Sequence, residues 1–253
     1  MSSDRSNLLR IANIIAFILT IIVNSLAGST TILGGQNTAA ISDANFTLIT
    51  PAGYVFSIWG IIYTLLGIFV VYQALPSQKG KEYQSKIGWL FVLSSLINII
   101  WLFLWQYELL IFSVVLMFML LATLIAIYLR LDIGKTNSKL AEKIAIQLPF
   151  STYLGWITIA SIANVATTLV SLNWDGFGIA PQTWASAIIV IALLLASIVI
   201  IKRRDIAYSL VIAWAFIGIS AAQTNENIVT LTQFSAIIVL ILLAAVLLYK
   251  KIR

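Results

Sequence analysis

The residues of this chain that could do chemistry within its apolar stretches are aromatic rings and amides. One apolar stretch carries Phe56, Trp59 and Tyr63, separated by steps of 3 and 4 residues. Such steps place side chains on one face of a helix. A second stretch carries Asn98 three residues before Trp101. Large flat rings and a few amides would make an apolar pocket with sparse orienting polar groups, which suits a flat aromatic or sterol-like ligand.

A third stripe of the same kind runs through Tyr153, Trp156, Ala160 and Asn164, again at helical spacing. An amide that faced lipid would lack hydrogen-bond partners at a high cost, so Asn98 and Asn164 should face the interior of a helix bundle. The aromatic residues share those faces. The predicted ligand-binding set is Phe56, Trp59, Tyr63, Asn98, Trp101, Tyr153, Trp156, Ala160 and Asn164.

A plainer interpretation of the same stripes is helix packing. Asparagine between membrane helices is often only an interhelical hydrogen-bonding group, and small residues such as Gly67 and Ala160 often only let helices approach. Any single stripe favours this interpretation. The convergence of several stripes favours a pocket.

Several kinds of chemistry are excluded by missing residue types. The chain contains no Cys and no His, so it has no disulfide, no Cys/His zinc site and no His-ligated haem. Ion-coupled transport usually requires a charged residue deep within a membrane span. No apolar stretch of this chain carries one. Tyr63 and Tyr153 are the only titratable groups in the stripes, and tyrosine is a poor base near neutral pH. Conventional hydrolysis or group transfer is therefore not expected, and no metal site is predicted.

The composition indicates an integral membrane protein. The 253 residues are 61% hydrophobic and 9% charged, whereas soluble domains carry about 25% charged residues. A helix needs about 20 apolar residues to cross a bilayer. We predict an all-α membrane protein with about eight spans: Leu8–Ser29, Gly53–Gln73, Ile87–Tyr107, Leu109–Arg130, Ile144–Leu172, Gln182–Ile201, Ile206–Gln223 and Thr230–Tyr249.

The charges support this count and indicate an orientation. With eight spans, all 15 basic residues fall in connectors or termini on one side, while the other side carries only Asp43, Glu108, Asp175 and Glu226. The positive-inside rule then places both termini in the cytoplasm, most simply of a bacterial cytoplasmic membrane. The basic residues are scattered, so nucleic acid is not an expected partner. Residues 30–50 form the longest connector on the outer side and are the candidate lid over a site.

Three segments of the chain resemble the tryptophan-rich sensory protein family, also called the translocator or peripheral benzodiazepine receptor family. They read PAGYVFSIWGIIYTLLG, LINIIWLFLW and YLGWITIASIAN, and they resemble the family's second, third and fifth helices. The matching positions agree in order and spacing: Pro51, Val55, Phe56, Trp59, Tyr63 and Gly67, then Asn98 and Trp101, then Tyr153, Trp156 and Asn164.

This resemblance implies a five-helix bundle that binds porphyrins and other tetrapyrroles, sterols or synthetic aromatic compounds. The implied pocket contains Trp59, Asn98, Trp101, Trp156 and Ala160, with Tyr63 and Asn164 nearby. Breakdown of porphyrin, proposed for some members, would involve Trp59 and Trp156. The family also implies a homodimer. The outer loop of this chain, residues 30–50, lacks the tryptophan that is usual in the family's first loop.

The resemblance covers residues 8–172, and the chain continues beyond it. We therefore divide the chain into a five-helix bundle, 1–172, and a three-helix membrane extension, 173–253. In the extension, Tyr208, Trp214, Gly218 and Gln223 should pack beside the bundle or form a protein interface, with an extended pocket as the alternative.

The function favoured is a membrane receptor or sensor for a hydrophobic planar ligand, such as a porphyrin, another tetrapyrrole or a sterol-like molecule. The alternatives are a facilitator that transports such ligands, a porphyrin-degrading enzyme and a ligand-free scaffold. No tightly bound cofactor is expected, since porphyrin or haem would be a ligand. The expected partners are membrane lipid, a small hydrophobic ligand and either a second copy or another membrane protein.

Overall fold

The computed structural model describes residues 3–252, and the side chains of residues 7–249. The described residues form helices joined by turns and irregular connectors, with no strand, and include eight long helices. They are α1 (Ser3–Ser29), α2 (Ile58–Ala74), α3 (Leu90–Gln106), α4 (Leu110–Arg130), α5 (Leu148–Ser171), α6 (Pro181–Arg203), α7 (Ile206–Ala222) and α8 (Glu226–Ile252).

Most of these helices are long and apolar enough to cross a membrane. Six helical segments meet that condition over the described residues, and α3 and α7 are shorter apolar helices of 17 residues each. Apolar side chains on the outside of the bundle are widely exposed, for example Ile11, Val115 and Ile241, each at 55% or more. Exposure of this kind is suited to lipid. The predicted all-α, multi-pass membrane fold is confirmed.

The first five helices close into a ring. Helix α1 packs against α2 and α3, α3 packs against α4, α4 against α5, and α5 returns to α2. The last three helices pack against one another, and α7 joins them to the ring through α5. The backbones of α5 and α7 approach closely at Gly155, where a Cβ atom would lie 3.1 Å from the Tyr208 carbonyl oxygen. A larger residue would not fit there without a shift of one helix.

Three predicted spans begin with a break or with another type of helix in the structure. The predicted Ile87–Tyr107 span is interrupted, because Gly88 has a φ of +52° and separates a short helix, Glu82–Ile87, from α3. The predicted start at Gly53 is a 3₁₀ helix, Gly53–Ser57, that leads into α2. The predicted start at Ile144 lies in a π-helical turn, Lys143–Gln147, before α5. Apolar composition does not distinguish these helix types, which depend on backbone hydrogen bonding.

The connector between α1 and α2 is folded down onto α3. It contains a short helix, Thr38–Ala44, which is capped by the side chain of Asn37. The Gln106 amide at the end of α3 donates hydrogen bonds to three carbonyls of this connector and of the end of α1, at 3.1 to 3.4 Å. Gly34 has a φ of +69°, and a Cβ atom there would overlap the Gln106 carbonyl. The connector is therefore held close to the bundle.

Helix α7 supports the 3₁₀ helix that leads into α2. The Ala52 N–H donates to the Gly218 carbonyl at 3.0 Å, and the Trp214 indole donates to the Val55 carbonyl at 3.4 Å. Gly218 itself faces Val55 so closely that a Cβ atom would overlap the valine side chain. The expectation that Trp214 and Gly218 pack beside the bundle is confirmed.

Candidate functional site

Trp59 lies at the centre of an aromatic cluster inside the five-helix ring. Its ring stacks on Tyr63, one helical turn along α2, with centroids 5.3 Å apart and planes 15° apart. Trp101 from α3 lies 6.4 Å away. Tyr153 and Trp156 from α5 meet Trp59 edge to face, at 5.9 and 6.1 Å. The three sequence stripes therefore converge, because α2, α3 and α5 turn the same faces toward one point.

A small cavity adjoins this cluster on the side toward the α1–α2 connector. Phe56, which meets Trp156 edge to face at 6.0 Å, and Ala160 belong to its wall. Thr38 and Ser42, from the short connector helix, form its wall on the connector side. The full lining is Thr38, Ser42, Pro51, Phe56, Trp59, Trp101, Trp105, Met117, Trp156, Ile159, Ala160, Ala163, Asn164 and Thr167. The predicted lid thus lies over the predicted site.

The cavity is small for a drug-sized ligand. Its volume is about 40 Å³, whereas pockets for such ligands measure about 300–1,000 Å³. The rings of the cluster fill most of the space by packing against one another. The structure therefore represents a closed arrangement, in which a planar ligand could enter only if rings or the connector moved.

Asn164 has an evident packing role. It accepts a hydrogen bond from the Trp101 indole at 2.8 Å and donates to the Ser113 hydroxyl at 2.9 Å. These bonds link α3, α5 and α4 in one chain of buried polar groups. Every strong hydrogen-bonding atom of the Trp101 and Asn164 side chains has a partner, so this pair is suited to holding the wall of the site in place.

Asn98 is placed differently. Its carbonyl oxygen accepts from the Asn24 amide of α1 at 2.8 Å, but its own amide nitrogen has no hydrogen-bond partner. The same holds for the Tyr63 hydroxyl and the Trp156 indole N–H. The Tyr153 side chain lies next to Asn98 and near Tyr63, so these polar groups are neighbours. The aromatic cluster therefore contains or adjoins three buried polar atoms without partners: the Tyr63 hydroxyl, the Asn98 amide nitrogen and the Trp156 indole nitrogen.

All nine predicted site residues lie in or next to this cluster. Phe56, Trp59, Trp101, Trp156, Ala160 and Asn164 line the cavity. Tyr63 and Tyr153 contact Trp59 outside the lining, and Asn98 lies next to Tyr153. The prediction that Phe56, Trp59 and Tyr63 pack inward is confirmed.

Sequence reasoning did not select several lining residues. Trp105 and Thr167 continue the same helical stripes, so their spacing was a usable signal. Trp105 also donates from its indole to the Thr38 carbonyl at 3.2 Å, which fastens the connector helix to α3. Met117 and Ala163 carry no signal in the sequence, because any apolar residue on the inner face would look the same.

The chemistry available at the site is hydrogen bonding and aromatic stacking. No acidic or basic side chain lines the cavity. Within residues 7–249, no group of three His, Cys, Asp or Glu side chains could hold a metal ion. The arrangement is suited to holding a flat, mostly apolar molecule by its faces and orienting it by a few polar atoms.

Comparison with known proteins yields one family match. A family model described as TSPO-like protein matches residues 10–248, which includes the three helices beyond Leu172. No curated protein and no solved structure matches the chain. Since the match covers nearly all of the chain, this multi-pass membrane protein belongs to the TSPO-like protein family.

Proposed function

We propose that this protein is a membrane receptor or sensor that binds a hydrophobic planar ligand, such as a porphyrin, another tetrapyrrole or a sterol-like molecule, within the aromatic cluster. The observation that carries the proposal is the set of three buried polar atoms without partners: the Trp156 indole nitrogen, the Asn98 amide nitrogen and the Tyr63 hydroxyl. Membership of the TSPO-like family supports a sensing or binding role in the membrane.

Unpaired polar atoms in an apolar interior are costly, at about 1–3 kcal/mol each. By contrast, the polar atoms of Trp101 and Asn164 in the same cluster are fully paired. Trp156 and Asn98 both present N–H donors. A ligand with acceptor groups on its edge, such as carboxylates, carbonyls or ring nitrogens, would satisfy them while its flat face stacks on Trp59.

Binding requires the closed cluster to open. Trp59 and Tyr63 stack with nearly parallel planes. A flat ligand would stack on either ring in the same geometry. We infer that the ligand takes the place of one of these ring contacts. The connector helix Thr38–Ala44 covers the cavity, so it is the element that would move to admit the ligand.

A ligand-free scaffold is the second candidate, and the volume of about 40 Å³ favours it. In that case the aromatic cluster would serve only to pack the ring of helices. Transport by a facilitator and breakdown of porphyrin both require binding first. Measurement of binding therefore comes before either of them.

The test is a titration of the purified protein in detergent micelles with protoporphyrin, followed by quenching of tryptophan fluorescence. We expect saturable quenching for the wild type. Trp156→Phe keeps an aromatic ring against Phe56 and Trp59 but removes the indole N–H, so its Kd should rise about tenfold for the loss of one buried hydrogen bond.

Trp89→Phe is the matched control. Trp89 is 45% exposed before the start of α3 and lies outside the cluster, so this variant should bind as the wild type does. Both variants must keep the wild-type helical circular dichroism. Quenching that never saturates, or equal affinity in both variants, would favour the scaffold.

The orientation proposed from the sequence belongs with this function. We infer that the end of the bundle with the basic connectors faces the cytoplasm, of a bacterium in the simplest case, and that the connector over the cavity faces outward. Ligand would then enter from the outer side. Support for this comes from the placement of all 15 basic residues in connectors and termini of one side.

A further inference from the structure

A cleft of about 440 Å³ opens at the basic end of the molecule, and it shares no lining residue with the cavity beside the aromatic cluster. It lies where the α4–α5 connector, the first turns of α5, the α6–α7 connector and the last turns of α8 meet. Its lining is Ile133, Gly134, Lys135, Thr136, Asn137, Lys143, Gln147, Leu148, Ser151, Arg204, Asp205, Ile206, Ala207, Val246 and Leu247. The cleft thus lies between the five-helix ring and the last three helices.

The walls of the cleft are held together by contacts at the end of α6. Arg203 forms an ion pair with Asp132 at 2.8 Å and donates to the Ile133 carbonyl at 3.3 Å. Gly134 has a φ of +84° and lies directly against the Arg203 carbonyl, where a Cβ atom would overlap it. The α4–α5 connector is therefore fixed against α6, which places Lys135 on the same cleft as Arg204.

Three cations line the cleft without a counter-ion. The charged groups of Lys135, Lys143 and Arg204 make no ion pair and no hydrogen bond with the side chains described over residues 7–249. All three residues are exposed. Positive charges gathered around one opening attract an anion, and the attraction is stronger beside low-dielectric walls.

Asp205 is the one acidic residue in the lining, and its oxygens are already occupied. One carboxylate oxygen accepts from the Tyr128 hydroxyl at 2.8 Å and from the Ser151 hydroxyl, and the other accepts from the Tyr208 N–H at 3.2 Å. The carboxylate caps the start of α7 and is 6% exposed. The Asp205 carboxylate is directed into the protein, and the lining carries three positively charged side chains against this one negative charge.

The remaining wall is apolar and belongs to the membrane surface. Leu247 of α8 is 40% exposed and Ile206 of α7 is 43% exposed, and Val246 lies beside them. A soluble anion would gain no binding free energy from an apolar wall, whereas the acyl chain of a lipid would pack against it. Basic pockets between membrane helices at this depth suit acidic lipid headgroups.

We propose that this cleft binds one anionic phospholipid, with its phosphate between Lys135, Lys143 and Arg204 and an acyl chain along Ile206, Val246 and Leu247. The lipid would contact both the ring and the last three helices and so join them at the basic end. This site is separate from the aromatic cluster, and the proposal does not depend on the ligand proposed there.

The experiment is native mass spectrometry of the whole protein released from neutral detergent, titrated with phosphatidylglycerol or with phosphatidylcholine of the same acyl chains. We expect one phosphatidylglycerol to bind with an affinity at least tenfold above that of phosphatidylcholine. In the triple variant Lys135→Gln, Lys143→Gln, Arg204→Gln the phosphatidylglycerol affinity should fall by about ten- to a hundredfold, since each basic residue contributes to binding of acidic lipid.

The matched control is Lys79→Gln, Arg130→Gln, Lys139→Gln. It removes the same charge from exposed residues that do not line the cleft, so its lipid affinity should stay within twofold of the wild type. If the triple cleft variant does not fold, Lys143→Gln alone serves, because its ammonium group makes no described contact.

Three results would overturn the proposal. One is equal binding of the two lipids. Another is an equal loss of affinity in the cleft and control variants, which would mean a general effect of surface charge. The third is competition by inorganic phosphate or glycerol phosphate at millimolar concentration, which would mean a site for soluble anions.

Discussion

At the scale of single residues, two asparagines from similar sequence stripes have different roles. Asn164 is paired on both sides, with Trp101 and Ser113, whereas Asn98 keeps an amide nitrogen without a partner. Spacing along the chain showed that both face inward. It could not show which of them is paired, because that depends on what the neighbouring helices place opposite each side chain.

The pairing of Trp101 with Asn164 should be measurable as a stabilising interaction. Asn164→Leu leaves the Trp101 indole and the Ser113 hydroxyl with fewer partners, so unfolding in mixed micelles of increasing sodium dodecyl sulfate should occur at lower detergent fraction. Hydrogen bonds between membrane helices contribute about 0.6 to 1.7 kcal/mol. A double-mutant cycle with Trp101→Phe should give a coupling energy within that range.

The control for this cycle is the same Asn164→Leu change combined with Trp89→Phe, whose ring is 45% exposed and lies 12 residues before Trp101, the partner of Asn164. That pair should be additive within about 0.5 kcal/mol. A coupling of zero between Trp101 and Asn164 would contradict a stabilising role for their hydrogen bond.

At the scale of helices, the entrance to α2 is shaped by an element from far along the chain. The 3₁₀ helix Gly53–Ser57 carries Phe56, and its fit depends on Gly218 and Trp214 of α7. Apolar runs predicted both segments as spans. They gave no sign that one supports the other, since that contact depends on how the last three helices dock.

Gly218→Ala should therefore disturb the site from a distance. A methyl group at this position overlaps the Val55 side chain, so the 3₁₀ helix must shift. We expect a loss of about 1–3 kcal/mol in the free energy of unfolding, as overpacking usually costs. The Kd for protoporphyrin should also rise. Thermal unfolding in detergent and the quenching titration measure the two effects.

Gly28→Ala is the matched control, because a Cβ atom there has nothing within 4 Å. It should leave the unfolding midpoint unchanged or slightly raised. If Gly218→Ala behaves like this control, α7 does not hold the entrance to α2 in place.

At the scale of the whole molecule, the five-helix ring and the last three helices are packed together more closely than the sequence suggested. The resemblance read from the motifs covers residues 8–172, yet the family match continues to residue 248 and α7 is packed against α5 at Gly155. The number of helices and the inner faces of α2, α3 and α5 were readable from apolar runs and spacing. The distances between helices were not, and so the volume of the cavity and the contribution of Met117 could not be predicted.

Separation of the two parts tests the division at Leu172. We expect residues 1–172 alone to unfold at a lower temperature and to elute as a broad peak in size exclusion, because Ala52 loses the Gly218 carbonyl and α5 loses its contact with α7. Co-expression with residues 173–253 should restore a single sharp peak containing both pieces. A piece 1–172 with the thermal midpoint and the protoporphyrin affinity of the whole chain would mean that the division marks two independent units.

The contacts between α7 and the segment before α2 also determine the order of assembly during synthesis. Gln223 donates hydrogen bonds to the Thr47 and Thr50 carbonyls, and its separation from Thr47 is 176 residues. At about 5–20 residues per second, a ribosome reaches Gln223 roughly 10 to 35 s after Thr47. During that interval the Thr47 and Thr50 carbonyls and the Ala52 N–H lack their final partners. The end of the α1–α2 connector therefore reaches its final contacts only when the seventh helix has entered the membrane.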